Sequence, residues 1–302
     1  MNFLKTTTTI LVILFLISSC EDQNPLQDVD NFNHEAQVVV DFDLLKEYLQ
    51  THYYNPNDGA IWTVGNEEEG ALPEGEEVTL FEDPNLETMS DIEANDTDTN
   101  YTMYFYSIQE GDNGLNSPLL KTPSVLDQVY VEYTGMLLDS TVFDKTKNYP
   151  IWLSLRNTVL GFSYGMTKLE GGTLQTNPDL TYEYTNVGEG YIFFPSGLGY
   201  KNNAQGSLIG SNSPLVFKLE LHNISYDDQD NDGIPSRYET STNANGTLNL
   251  IDTDGDGYND YRDLDDDGNG TKTIEQADTD EDQEVSSAEL QNYLMNTYPD
   301  QY

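Results

Sequence analysis

The chain has one cysteine in 302 residues, Cys20. No intrachain disulfide can form, so no cross-link can stand in for an apolar core. Basic residues are scarce. Twelve Lys and Arg stand against 54 Asp and Glu, for a net charge of −42. A phosphate backbone is bound through Lys and Arg, so this balance argues against nucleic acid and favours solubility and cation binding. His34, His52 and His222 are scattered, which leaves no imidazole metal site. There is no catalytic triad and no phosphate loop. Hydrophobic residues make up 36 % of the chain, below the globular norm of about 45–50 %, so apolar side chains must be concentrated in part of it.

What is present begins with an address. Lys5 precedes an apolar run at residues 10–17 (ILVILFLI), and Ser18 and Ser19 precede Cys20. The run is too short for a membrane span, which takes about 20 residues. The segment resembles a bacterial lipoprotein signal peptide. The resemblance implies removal of residues 1–19, lipid on the Cys20 sulfur, and an extracytoplasmic protein anchored to a membrane without spanning it.

Composition divides the remainder into a tether and N-terminal region (20–100), an apolar domain (101–225) and an acidic tail (226–302). In the first, Leu44, Leu45, Tyr48, Leu49 and His52 share a helical face, with Asp43 as cap and Pro56 as stop. Residues 57–99 read as mostly irregular, with room for a hairpin. An aromatic strand is expected at 101–108. Further strands are expected at 130–133, 151–155, 191–194 and 215–221, with one short helix at 162–168. After Ile224 large aliphatics become rare. Such a segment cannot bury enough apolar surface to fold alone, so a ligand must supply free energy or it stays disordered.

Between 101 and 224 the order of motifs resembles the FKBP-type peptidyl-prolyl isomerase family. Tyr133-Thr134-Gly135 ends a strand, and Phe143-Asp144 follows a turn. Val159-Leu160-Gly161-Phe162 looks like the element that opens the family's helix, with Phe162 in place of a tryptophan at the pocket floor. Gly165 and Leu169-Glu170-Gly171-Gly172 match the helix exit. Pro195-Ser196-Gly197-Leu198-Gly199-Tyr200 is similar to the family's loop bearing a second tyrosine. Leu208 and Ile209 match paired aliphatics, and Leu215 to Leu221 matches the closing strand with Phe217 facing the pocket. An acidic, tyrosine-rich insertion at 175–190 departs from the pattern, as do Lys201, Gln205 and Gly206 in the loop over the site. The implied fold is α+β, an antiparallel sheet wrapped on one short helix.

The resemblance also implies roles. Phe143, Val159, Phe162 and Phe217 would enclose a proline ring. The Val159 N–H and Tyr200 hydroxyl would hold peptide carbonyls, and Asp144, held by Tyr133, would face the rotating bond. Ile151, Leu208 and Ile209 would line the substrate's path. No cofactor is implied. An Xaa-Pro bond rotates slowly because resonance keeps it planar, with a barrier of about 18–20 kcal/mol. An apolar pocket favours the twisted, less polar state, so binding that state better than either planar one suffices for catalysis. The substrates implied are proline-containing exported polypeptides. A rival reading of the same residues is a non-catalytic adhesion or scaffold lipoprotein.

The tail repeats a cation-loop pattern. Asp228, Asp230, Asp232, the carbonyl of Ile234 and Glu239 fit a calcium loop with oxygens at alternate positions and a terminal carboxylate. Asp252, Asp254, Asp256, Tyr258, Asp260 and Asp263 repeat it. A third, overlapping candidate runs over 263–273 with Asp265, Asp267 and Asn269. The fourth comprises Asp278, Asp280, Asp282, Glu284 and Glu289, with Gln283 where glycine is expected. The close spacing resembles thrombospondin type-3 repeats as much as EF-hands. Calcium is expected here as a structural ion.

Overall fold

The aromatic strand at 101–108 is covered on both faces, with Met103 and Phe105 in one apolar core and Tyr104 and Tyr106 in another. The computed structural model describes residues 33–93, 99–114, 121–243 and 247–298, so the leader and Cys20 lie outside the described residues. The chain opens with α1 (His34–Thr51) and a hairpin of β1 (His52–Asn55) and β2 (Ala60–Thr63). Then come β3 (Leu86–Glu93), β4 (Asn100–Gln109), β5 (Gln128–Met136), β6 (Val142–Lys145), β7 (Ile151–Ser154) and α2 (Leu160–Met166). A hairpin of β8 (Thr173–Thr176) and β9 (Tyr182–Thr185) precedes β10 (Gly188–Phe194) and β11 (Leu215–Ser225). The tail holds β12 (Thr240–Thr242), β13 (Leu248–Leu250), α3 (Thr273–Ala277) and α4 (Ser287–Thr297).

The main sheet is antiparallel with the order β3-β4-β10-β11-β5-β6, and β7 pairs with β5. This is the α+β architecture that the motif order implies. Side chains alternate between faces along a strand. Met103 and Phe105 of β4, Ile192 and Phe194 of β10, and Phe217, Leu219 and Leu221 of β11 form one core with Phe162, Tyr164 and Met166 of α2. Tyr104, Tyr106, Tyr191, Phe193 and Val216 face the other way and pack with Leu45, Tyr48 and Leu49 of α1. Strands β4 and β10 lack the apolar–polar alternation of a half-exposed strand because both faces are covered.

The N-terminal region differs from its sequence reading. Helix α1 begins at His34, capped by the Asn33 side chain, which accepts from the Ala36 N–H at 3.1 Å. Asp43 therefore lies inside the helix. Asp41 is fully buried and accepts from both the N–H and hydroxyl of Ser196, at 2.8 and 2.6 Å. Strand β3 pairs with β4 where irregular structure was expected. Its burial pattern is too sparse for alternation to betray it. The insertion forms the β8–β9 hairpin. Among the described residues no helix is long and apolar enough to cross a membrane.

Candidate functional site: an aromatic pocket and a run of acidic loops

The pocket is built where β5, β6, β11 and α2 meet. Phe217 is its hub. Its ring lies 5.2 Å from Phe162 and 5.5 Å from Phe143, both edge-on at 78° and 83°. Tyr133 closes the group at 5.8 Å from Phe162 and 6.1 Å from Phe217. Edge-to-face packing matches the ring quadrupoles and fixes the rings as walls. Gly135 makes this approach possible. A Cβ there would stand 2.7 Å from the Phe143 ring and 2.8 Å from Phe217. Gly161 and Gly165, one turn apart on α2, let the helix settle against Phe194 and Ile192 of β10, where a Cβ would come within 2.2 and 2.5 Å. Phe194, absent from the sequence candidates, stacks on Phe217 at 5.8 Å and 6°.

Polar groups rim the pocket. The Tyr133 hydroxyl donates to Asp144 at 2.7 Å. Burial and then the Asp144 carboxylate push the Tyr133 hydroxyl above its ordinary value, and the same two causes raise Tyr200. Both tyrosines therefore stay protonated donors at neutral pH. Val159 is the cap of α2, and its carbonyl accepts from the N–H groups of Phe162 and Ser163 at 3.0 and 3.1 Å. Its own N–H meets no protein acceptor among the described residues, as expected at a helix start. Tyr200 and Val159 pack at the edge of the same core, and Ile209 is buried in it. Two sequence candidates stand apart: Leu208 is exposed, and Ile151 is not among the residues packed on the core, where its strand neighbour Leu153 stands instead.

The tail forms four successive loops with one hydrogen-bond plan. In each, the first aspartate accepts from the N–H of the sixth residue: Asp228 from Gly233 at 3.0 Å, Asp252 from Gly257 at 3.1 Å, Asp265 from Gly270 at 2.8 Å, Asp278 from Gln283 at 2.7 Å. The fifth side chain accepts from the seventh N–H, as in Asp232 to Ile234, Asp256 to Tyr258, Asn269 to Thr271 and Asp282 to Glu284. This plan corrects the third candidate. Its loop starts at Asp265, Asp263 is the last residue of the second loop, and the third loop ends on Gln276. That amide donates to Asp267 at 3.2 Å and to the Thr271 carbonyl at 2.9 Å. Asp260 is corrected too. Its carboxylate turns inward, accepts from the N–H and hydroxyl of Thr253 at 2.8 and 2.7 Å and from Tyr298 at 2.9 Å, and joins no metal-spaced group. Ser236 and Thr273 occupy its equivalent position and accept from Gln229 and Asp266 N–H groups at 3.0 and 3.2 Å. That position closes the loop and is not needed as a ligand.

Three loops bring aspartates into metal-spaced groups, with one oxygen from each within 4.8 Å of the others: Asp228, Asp230 and Asp232; Asp252, Asp254 and Asp256; Asp278, Asp280 and Asp282. Glu289 is engaged elsewhere. It accepts from the Thr279 hydroxyl at 2.6 Å and from the Thr279 and Ser286 N–H groups at 2.7 and 3.0 Å, caps α4, and is held down to about 2 by its hydrogen bonds from Thr279 first and Ser286 second. Glu239 is the opposite case. It is fully buried, and neither of its carboxylate oxygens has a partner. Burial, then the neighbouring Asp232, pushes it far above the carboxylate range. The donor set, hard oxygens at short spacing, suits a divalent cation such as calcium.

Residues 121–222 match the family described as FKBP-type peptidyl-prolyl cis-trans isomerase. The chain is 34 % identical over 106 residues to a probable FKBP-type peptidyl-prolyl cis-trans isomerase FkpA of Neisseria meningitidis, which covers 34 % of each protein. It is 31 % identical over 104 residues to outer membrane protein MIP of Legionella longbeachae, covering 34 % of this chain and 38 % of that one. It is 26 % identical over 119 residues to peptidyl-prolyl cis-trans isomerase Mip of Coxiella burnetii, covering 37 % and 45 %. The chain thus spans less than half the length of these curated relatives. Among solved structures, a peptidyl-prolyl cis-trans isomerase of Pseudomonas syringae aligns with a TM-score of 0.36 and 18 % identity, over 63 % of this chain and 95 % of that one. FkpA from Escherichia coli aligns with the same score and identity over 64 % and 62 %. The aromatic pocket and the stretch that is similar to the FKBP-type peptidyl-prolyl cis-trans isomerase family coincide, both falling within residues 121–222.

Proposed function

We propose that the protein is a peptidyl-prolyl cis-trans isomerase acting on proline-containing exported polypeptides, lipid-anchored through Cys20 on the extracytoplasmic side of a bacterial membrane. One observation carries the catalytic reading: Phe143 and Phe162 each meet Phe217 edge-on, beside the Tyr133–Asp144 pair. A proline ring enters between the three rings. The Val159 N–H and the Tyr200 hydroxyl are the donors for the flanking carbonyls. Asp144, oriented by Tyr133, faces the bond as it twists. The pocket excludes water from an amide that loses charge separation on twisting, and no side chain changes protonation. The leader resemblance and the printed name of the Legionella relative, an outer membrane protein, support the address. The tail loops take calcium as a structural ion, for which their repeated oxygen plan is the support.

Exchange spectroscopy on an Xaa-Pro peptide tests the catalytic reading. Uncatalysed isomerisation takes about 10–100 s. The purified protein is expected to accelerate it at catalytic concentration, and Phe217→Ala is expected to remove most of that acceleration, by about tenfold or more. Peptide binding without acceleration would favour the scaffold alternative. Acceleration that survives Phe217→Ala and Tyr200→Phe together would overturn the assigned pocket.

A further inference from the structure

The first acidic loop has more carboxylates than its own repeat provides. Asp232 and Glu239 are fully buried, and a third carboxylate, Asp266, stands with them at 1 % exposure. One oxygen from each lies within 4.8 Å of the others. Asp266 belongs to the third loop, where it is the second residue. The equivalent residues of the other loops are Gln229, Thr253 and Thr279, none of them acidic.

The three carboxylates are short of partners in a consistent way. Asp232 uses Oδ1 to accept from Ile234, and its Oδ2 has no partner. Asp266 uses Oδ2 to accept from the hydroxyls of Tyr293 at 2.9 Å and Tyr298 at 3.2 Å, and its Oδ1 has no partner. Both oxygens of Glu239 are without one, as is Oδ2 of Asp230. Among the described residues no Lys, Arg or His forms an ion pair with any of them. Three carboxylates buried at this distance without a cation would each carry a desolvation cost of several kcal/mol together with mutual repulsion. Asp232 and Asp266 each have one oxygen used by the fold and the other left over, and Glu239 leaves both. Donors fixed from behind and acceptors free in front are the arrangement of an oriented metal ligand.

We propose that Asp266 is a ligand in a buried inter-repeat site, in which a single divalent cation, calcium by its all-oxygen donor set, is shared by the first loop and the third. The inference rests on the reading of the tail as calcium-binding for the choice of ion and goes beyond it in the ligand set. The site draws on Asp228, Asp230, Asp232, Glu239 and Asp266. It is the tightest of the tail, since the second loop offers its aspartates from exposed positions, the fourth has only Asp278 buried, and Glu289 is committed to helix capping. Through Tyr293 and Tyr298 the same ion orders α4, so cation binding at one end of the tail fixes the packing of the other.

Calcium titration of the full mature protein, by calorimetry against a chelator of known affinity, tests this in wild type, Asp266→Asn and Asp254→Asn. Wild type is expected to show one tight class above weaker ones. Asp266→Asn should weaken the tight class by about tenfold or more, whereas Asp254→Asn should change only a weaker class. Wild type that binds no calcium at millimolar concentration would overturn the calcium reading of the tail and this inference with it. Wild type that binds, with Asp266→Asn titrating identically, would overturn the inter-repeat ligand alone. Should Asp266→Asn fail to fold, terbium supplies a second arm. Tyrosine-sensitised emission from the tight site is expected to fall severalfold in Tyr293→Phe with binding retained, and unchanged emission would place the ion away from Asp266.

Discussion

At the scale of single residues, the pocket depends on an absence of atoms as much as on its rings. Gly135 ends the strand motif that marks the domain in the sequence, and its missing Cβ is what lets Phe143 and Phe217 close on each other. Gly135→Ala is therefore expected to abolish most of the proposed isomerase activity while costing about 1–3 kcal/mol of stability by overpacking. Peptide exchange and thermal unfolding, measured side by side, check both parts. An active Gly135→Ala variant would mean that the two rings do not bound the substrate space. The aromatic identities Tyr133, Phe143, Phe162 and Phe217 were legible because motif order places them. Phe194 was not, because a second phenylalanine in an unbroken apolar strand gives no sign of which face it serves. Asp266 was hidden for a similar reason: among the neighbours Asp263, Asp265, Asp267 and Asn269, only the loop's hydrogen-bond register shows which residue turns inward.

At the scale of elements, α1 and the acidic loops illustrate two ways a pattern can mislead. The second half of α1 shows a clear apolar stripe at Leu45, Tyr48 and Leu49, but the first half carries Val39 and Phe42 exposed and Asp41 buried. The helix extends back to Asn33 because Asp41 finds its partners on the Ser196 turn, a contact made by tertiary structure alone. In the loops, alternating Asp predicted the turns, and the glycine at the sixth position explains how they close. Gly233 and Gly257 take φ of 91° and 100°, and Gln283 is held at 72° in the same place. A side chain in that region costs about 1–2 kcal/mol. Gln283→Gly is thus expected to raise the tail's denaturation midpoint, by up to about 1 kcal/mol after the greater flexibility of the unfolded glycine is counted. Gly233→Gln should lower it, all the more since a Cβ there would stand 2.8 Å from Val285. Urea titration followed by tyrosine fluorescence distinguishes the two. A neutral Gln283→Gly would show that the strain is relieved elsewhere in the loop.

At the scale of the whole molecule, the sheet and the tail are joined through a few buried polar contacts. Arg237 pairs with the fully buried Asp127 at 3.1 Å, donates to the Thr122 carbonyl at 3.2 Å and lies over the Tyr226 ring at 4.7 Å. Gln128 donates to Asp227 at 3.0 Å. Burial pushes Asp127 up to about 6 in spite of Arg237, so Arg237→Ala would leave that carboxylate uncompensated. The two parts have separate apolar cores, a large one around α2 and a small one of Ile234, Ala277, Tyr293, Leu294 and Tyr298. Removing divalent cations with a chelator is expected to speed amide hydrogen exchange over 226–298 by at least about tenfold, while β4, β10 and β11 stay protected. Equal protection with and without chelator would mean that the small core folds unaided. The sequence by itself determined the acidic balance, the order of pocket motifs and the alternating oxygens of the loops, because these are properties of neighbours along the chain. Only the tertiary structure decided that α1 covers the second face of the sheet, that Phe217 is the hub of the pocket, and that Asp266 faces Glu239 across two repeats. Those are distances between residues far apart in sequence, and they are set by which surfaces pack together to leave water, information that no local pattern carries.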